Sequence, residues 1–422
     1  MIDIELLRKD ADAVRANLAR RHKPELLELL DSVIEMDEKW RKAQGELDAL
    51  RAKRNELTEQ IRKKKDAKLI AQARDASAHV KALEDEVAFL KPKLDFELSK
   101  IPVMLHKDVP DGKDANDNPV VRTWGKQTKP KFALASHGEL IEALGIGDFD
   151  RASEIAGRGF NYIMGDLALL DRALQAYGIE FLIKNGFRFV EPPLMIRKRP
   201  MEGTTDFQAF IDVLYKIEGE DLYLIPSSEN SLVPFYMDQV IDEDELPLKI
   251  VGVSPCFRKE IGSHSVDTKG LYRMHQFNKV EEVVICKPED SWKWFEKLQA
   301  ISEDILQSLK IPYRVVDICT GDIGSKQSRQ YDIEAWFPRQ GKYGEITSCS
   351  NCVDYQARGL NMKYGKRGGS RAFVHTLNNT CVATSRIMVA ILENFQNEDG
   401  TVDVPKVLWP YMMGRKTIGK AK

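Results

Sequence analysis

Residues 254–281 read SPCFRKEIGSHSVDTKGLYRMHQFNKVE, and chemically able side chains recur there at every second position. Arg258 and Glu260 are two apart, as on one face of a strand. A polar, glycine-flanked loop follows, and Arg273, His275, Phe277, Lys279 and Glu281 then alternate along a returning strand. Two antiparallel strands of this kind present Arg, Glu, Phe and Arg on one surface, where guanidinium groups and metal ions can hold phosphates. The glycine-loop solution to the same problem is missing: no GxxxxGK[ST] run occurs, and no GxGxxG stands between a strand and a helix. Each residue alone has a commoner structural use, Phe277 in a core and Arg-x-Glu as a surface pair of little energetic weight. The information lies in the combination.

Three further features attract chemistry less strongly. His264, in the loop, could act as a base, but beside serines it reads as a polar contact. Cys349 and Cys352 have the spacing of a metal-ligand pair, yet no second pair of cysteines accompanies them, so they read as thiols. The acidic run IDEDE at 241–245 reads as a solvated face.

The elements that must position these residues can be read from periodicity. Strand-like runs FRFVEPPLM, LYLIPSS, KIVGVSPCF, EEVVIC and YRVVDI are mixed with helical stretches around 166–185, 291–309 and 382–397. Neighbouring strands with interspersed helices predict a mixed or antiparallel α+β body, not strict βαβ alternation. Ahead of it, Val33, Met36, Trp40, Ala43, Leu47, Leu50, Leu57 and Ile61 form a heptad seam that only Arg54 interrupts. Leu69, Ala73, Ala76, Val80, Leu83, Val87, Leu90 and Leu94 form a second, with Pro92 expected to kink its far end. The two seams predict an antiparallel helical hairpin. Residues 40–68 hold ten Lys/Arg against five Asp/Glu, in a chain whose net charge is −2. That local excess favours an arm lying along a phosphate backbone over one that only spaces or dimerises. From Ile101 to about Gly125 the text turns to VPDGKDANDNPVVRTWG, without persistent periodicity, and reads as a linker.

At 422 residues, 43% hydrophobic and 30% charged, the chain is too long for a single small binding module and too apolar for a mainly disordered one. No apolar run approaches the ~20 residues that a membrane crossing needs, and MIDIELLRKD has charges where a signal peptide would be apolar. A cytoplasmic location and six free thiols, Cys256, Cys286, Cys319, Cys349, Cys352 and Cys381, are the expectation.

With these residues in view, the chain resembles the class II aminoacyl-tRNA synthetases, and within them the seryl-tRNA synthetase family. FRKE…DTKGLYRMHQFNKVE is similar to the second signature motif, GFRFVEPPLM to the first, and NTCVATSRIMVAILENFQNEDGTVDVPKVLWPYM to the third, with Arg386 at its arginine. LYLIPSSE and YGEITSCSNCVDYQAR match the serine and metal-binding segments. The arm, the linker and the opening residues also fit, so the likeness covers essentially the whole chain.

The resemblance implies a class II antiparallel sheet flanked by helices, preceded by a two-helix coiled-coil arm. The divisions would be 1–103 for a tRNA-binding arm, 104–125 for the linker and 126–422 for a catalytic domain. It implies adenylation of L-serine with ATP and Mg²⁺, then transfer to the 3′ end of tRNA(Ser), with tRNA(Sec) open as a second acceptor. It also implies a homodimer that engages neither membrane nor DNA. Arg258 would meet the α-phosphate and the serine carboxylate, Arg273 and Arg386 the outer phosphates, Phe277 the adenine ring and Glu260 its amino group. Met274 stands where the family usually has Val, as a backbone contact. Glu345, Ile346, Thr347 and Ser348 would serve ATP, and Glu345 and Ser348 the Mg²⁺. Ser227, Ser228, Glu229, Arg258, Glu281 and Thr380 would hold serine, excluding alanine by lost hydrogen bonds and threonine by lack of room. Arg51, Arg54, Arg62, Lys63, Lys64 and Lys65 would meet tRNA. The chain departs from the family at Ser227-Ser228, where Thr-Ala is usual, at Ile261 and Ser263-His264-Ser265-Val266 in the loop, and at Gly359, where a second arginine is common. A paralogue loading another acceptor or amino acid, and a non-catalytic RNA-binding relative, are the alternatives.

Overall fold

The computed structural model describes residues 2–260, 270–366 and 368–420. It divides after Met104 into two compact units.

The first unit is helical. Two short helices, α1 (Ile4–Lys9) and α2 (Ala11–Ala19), are capped by the side chains of Asp3 and Asp10. They pack against the base of a long hairpin made by α3 (Glu25–Lys63) and α4 (Ala67–Ser99). The expected seam is there: Val33, Ala43, Leu47 and Leu57 of α3 are buried, as are Ala76, Val80 and Leu94 of α4. Arg51 meets Glu84 at 2.8 Å, and Lys91 lies 5.6 Å from the centre of the Trp40 ring. Partner numbers fall on one helix as they rise on the other, as an antiparallel hairpin requires. Pro92 does not end α4, which continues to Ser99 and buries Leu94 and Leu98 beside Leu30 and Val33.

The second unit is built on one eight-stranded sheet. Its strands are β1 (Val120–Trp124), β2 (Arg188–Val190), β3 (Leu248–Phe257), β4 (Gln276–Cys286), β5 (Tyr313–Asp317), β6 (Arg329–Phe337), β7 (Lys342–Asn351) and β8 (His375–Ala383). The order across the sheet is β1-β5-β6-β7-β8-β4-β3-β2, and every pair is antiparallel except β2 with β3. Three helices cover one face: α5 (Gly165–Lys184), α6 (Ser291–Leu309) and α7 (Thr384–Asn394). Their leucines and isoleucines, among them Leu170, Leu174, Ile305, Ile387 and Ile391, close the main core over Val280, Val284 and Ile333.

One expectation is corrected. The stretch read as a linker is structured, because β1 pairs with β5 as the sheet's edge strand. Leu105 and Val109 bury themselves beside Val316, Ile318 and Ile323, and Pro110 and Gly112 accept backbone bonds from Thr320 and Gly321 at 2.9 Å. Its polar composition hid a few well-spaced apolar anchors.

Candidate active site

Alternation along β4 separates two sets of side chains. Val280, Glu282, Val284 and Cys286 face the helices, while Lys279 and Glu281 face the other way. Opposite Glu281 stand Gly252 of β3 and Thr380 of β8. Gly252 leaves room for what packs on it: a Cβ there would come 2.9 Å from the Leu232 side chain, which would have to shift. The glycine lets the one-turn helix Glu229–Leu232 settle on the sheet and brings Glu229 to the same open face.

Arg258 follows β3 directly. Its N–H donates to His275 O at 2.9 Å, its Nε donates to Pro226 O at 3.1 Å, and its guanidinium lies 5.3 Å from the centre of the Phe277 ring. It is thus pinned between an aromatic ring and the segment that carries Ser227 and Glu229. The single continuous strand face expected through Glu260, Arg273 and His275 is corrected. β3 ends at Phe257, β4 begins at Gln276, and Glu260 turns off with φ 35°. Glu260 and Arg273 instead pair at 3.2 Å. His275 stacks on Phe160 at 5.1 Å and bonds the Tyr215 hydroxyl, and buried Met274 accepts from the Asn161 amide. Leu271 donates to Nε2 of the fully buried His137 at 3.2 Å, which fastens the returning chain. Ile261, Ser263, His264, Ser265 and Val266 lie outside the described residues.

Arg386, in the first turn of α7, donates to Glu345 O and pairs with its Oε1, both at 3.1 Å, beneath the Tyr272 ring. Burial works against its charge, but Glu345, Tyr272 and Glu260 outweigh it and raise its pKa. Ile346 and Thr347 are buried. Glu345 and Ser348 are three apart, which on a regular strand means opposite faces. A register slip between Ile333 and Glu334 leaves Ile346 as an extra residue, and both Glu345 and Ser348 then act on Asp332. Burial, with Glu345 second, pushes the Asp332 carboxyl up to about 8. A divalent cation would reverse that shift, and the oxygens of Glu345, Ser348 and Asp332 suit a hard one. Among the described residues no three His, Cys, Asp or Glu are grouped so as to hold a metal ion by themselves, so such a cation would need phosphate oxygens to complete its shell.

The other end of the site is a buried polar pocket. Glu281 Oε2 is 2.6 Å from Lys279 Nζ and accepts from Thr380 Oγ1 at 3.3 Å. Burial raises the Glu281 pKa and Lys279 opposes the rise. Glu229 Oε1 accepts from Lys326 at 2.6 Å, Gln356 at 2.6 Å and Asn378 at 2.9 Å. Ser227 Oγ accepts from the Glu229 N–H, whereas Ser228 turns into the core and bonds Ser254 at 2.7 Å. Gly359 packs backbone to backbone, since a Cβ there would meet Gly203 Cα at 3.0 Å. Sequence reasoning missed Asp332, Lys326, Gln356 and Asn378. Only the pairing of distant segments distinguishes them from ordinary polar residues.

All six cysteines are buried free thiols. On the arm, Arg62, Lys63, Lys64 and Lys65 are exposed around the turn, while Arg51 is tied to Glu84 and Arg54 is half-buried.

The model of the seryl-tRNA synthetase N-terminal domain matches residues 1–105, and that of the tRNA synthetase class II core domain (G, H, P, S and T) matches 214–395. A Methanocella arvoryzae protein named serine–tRNA ligase is 45% identical, over 98% of this chain and 99% of its own. The structure of seryl-tRNA synthetase from Pyrococcus horikoshii complexed with ATP superposes over 100% of both chains, with a TM-score of 0.96 and 43% identity. That of the cytoplasmic serine-tRNA ligase from Naegleria fowleri in complex with AMP gives 0.89 and 36%, over 100% of this chain and 99% of that one.

Proposed function

This chain belongs to the seryl-tRNA synthetase family of class II synthetases, and on that premise we propose that it activates L-serine with ATP and transfers it to tRNA(Ser). One observation supports the reading most: a guanidinium over an aromatic ring, Arg258 on Phe277, joins a buried Glu/Thr pocket to an Arg386–Glu345 pair along one sheet face.

In the first step a serine carboxylate oxygen attacks the α-phosphorus and the bond to the bridging oxygen breaks, releasing pyrophosphate. In the second a 3′-terminal ribose hydroxyl of tRNA attacks the seryl carbonyl and AMP leaves. No covalent nucleophile of the protein is needed, so its contribution is placement and charge. Arg258 holds the serine carboxylate and the α-phosphate, offsetting the charge that grows between them. Phe277 stacks on adenine and Glu260 accepts from its amino group; the backbone at Met274 edges the base. Arg273 and Arg386 hold the outer phosphates. Glu345 and Ser348, with Asp332 behind them, would hold Mg²⁺, which when bound would offset the negative charge of the phosphates. Ser227 and Glu229 take the serine ammonium, while Glu281 and Thr380 bond its hydroxyl. An alanine would leave those two groups unpartnered.

Residues 1–103 serve tRNA through the exposed cluster at Arg62–Lys65, and the body performs the chemistry. Recognition runs through phosphates and shape. Two copies pair through α5 and the chain after it, a reading supported by exposed Ile183, Phe189, Leu194 and Met195 and by the open edge strand β2. Among the described residues no helix is long and apolar enough to cross a membrane, and with six buried thiols we place the protein in the cytoplasm.

ATP–pyrophosphate exchange without tRNA tests the reading, with serine, alanine, threonine and cysteine compared. Exchange driven by serine well above the others is the expected result. No exchange with any of them, from well-folded protein, would overturn it in favour of a non-catalytic RNA-binding relative.

A further inference from the structure

The amino-acid pocket contains two carboxylates, and a lysine holds each of them by one oxygen. Lys279 and Thr380 share Glu281 Oε2. On Glu229, Lys326, Gln356 and Asn378 all converge on Oε1. Lys326 comes from the segment between β5 and β6, far from the signature motifs in sequence. Its side chain turns inward, 17% exposed, with Nζ 2.6 Å from Glu229 and 3.5 Å from Thr204 O. A surface lysine with no task would keep its ammonium in water, because desolvating it costs several kcal/mol unless a partner compensates.

We propose that Lys326 is a positioning residue of the amino-acid pocket: its ammonium clamps Oε1 of Glu229, keeping that carboxylate charged and oriented so that Oε2 receives the ammonium of the substrate amino acid. This rests on the reading that Glu229 faces serine.

The surroundings leave Lys326 as the cation for this task. Other charged or titratable groups of the pocket have tasks of their own or are neutral: Lys279 is on Glu281, the Arg258 guanidinium donates to Pro226 O and is given to the substrate carboxylate, and burial pushes the Cys352 thiol up to about 12. Lys198, Arg199 and Glu202 of the adjoining helix are exposed. Burial disfavours the Lys326 charge, but Glu229 and the groups behind it raise its pKa overall, so the clamp stays cationic through the neutral range. Without Lys326, two buried carboxylates would share one lysine, and burial without a cation favours the protonated acid. A protonated Glu229 would no longer attract an ammonium.

The test is the KM for serine in pyrophosphate exchange from pH 6 to 8, where serine keeps its ammonium, alongside the KM for ATP and the melting temperature. For wild type we expect a serine KM that is flat with pH. For Lys326→Met it should rise about tenfold or more toward the acid end, the scale of one charge-assisted bond, while the ATP KM stays within about twofold. Lys326→Arg should restore the flat profile. A Lys326→Met profile that stays flat overturns the proposal. Glu229→Gln separates this failure from that of the underlying reading: a raised serine KM upholds Glu229 as the ammonium's receptor, and an unchanged one removes that role and the proposal with it. Should Lys326→Met fail to fold, Lys326→Met/Glu229→Gln leaves no unpaired charge and reads the same coupling. A serine KM no higher than that of Glu229→Gln alone supports the proposal, and a further rise overturns it.

Discussion

Glu281 and Glu282 are chain neighbours with different physics. Alternation sends Glu281 to the open face, where Lys279 lies 2.6 Å away. It sends Glu282 under the helices, where Asn379 donates to Oε1 at 2.6 Å and Oε2 has no hydrogen-bond partner. Burial pushes the Glu282 carboxyl well above its ordinary value of 4.5. A carboxyl whose folded pKa is raised binds its proton more tightly in the folded state, so its contribution to stability is lost as pH rises above the unfolded value. Glu282→Gln keeps the shape without that proton. We expect its melting temperature to match wild type near pH 5 and to exceed it by several degrees near pH 8; equal slopes with pH would show that Glu282 is ionised in the fold. Both are buried, and the sequence reveals that they alternate on a strand but not which of them has a lysine beside it.

The arm shows how an element can be legible on its own. Its seams were readable because a heptad repeat is local, and burial of Val33, Ala43, Leu47, Val80 and Leu94 follows from it. Which basic residues remain available was not readable: Arg51 is paired with Glu84 and Arg62 with Glu59, while Lys63, Lys64 and Lys65 are exposed at the turn. Replacing Lys63, Lys64 and Lys65 with Ala should raise the KM for tRNA about tenfold or more and flatten its salt dependence, since fewer counterions are released. Pyrophosphate exchange should be unchanged. Unmoved tRNA kinetics would take the turn out of the interface.

For the whole molecule, the apolar surface at Ile183, Phe189, Leu194 and Met195 makes a prediction about assembly. Light scattering should give twice 48.0 kDa, and Ile183→Asp with Met195→Asp should give 48.0 kDa. A monomer at the start would overturn the pairing. The sequence by itself determined what depends on near neighbours: the helical arm and the alternation along the strand that carries Phe277, Lys279 and Glu281. Only the tertiary structure decided what depends on segments meeting. It turned the stretch around Val120 from linker into edge strand, and sent Ser228 to Ser254 instead of the pocket. It slipped one residue at Ile346 so that Glu345 and Ser348 converge on Asp332, and it brought Lys326 to Glu229 across 97 positions. The physical reason is that periodicity records the face on which a side chain lies, whereas its partner is chosen by strand order and packing, which no local pattern encodes.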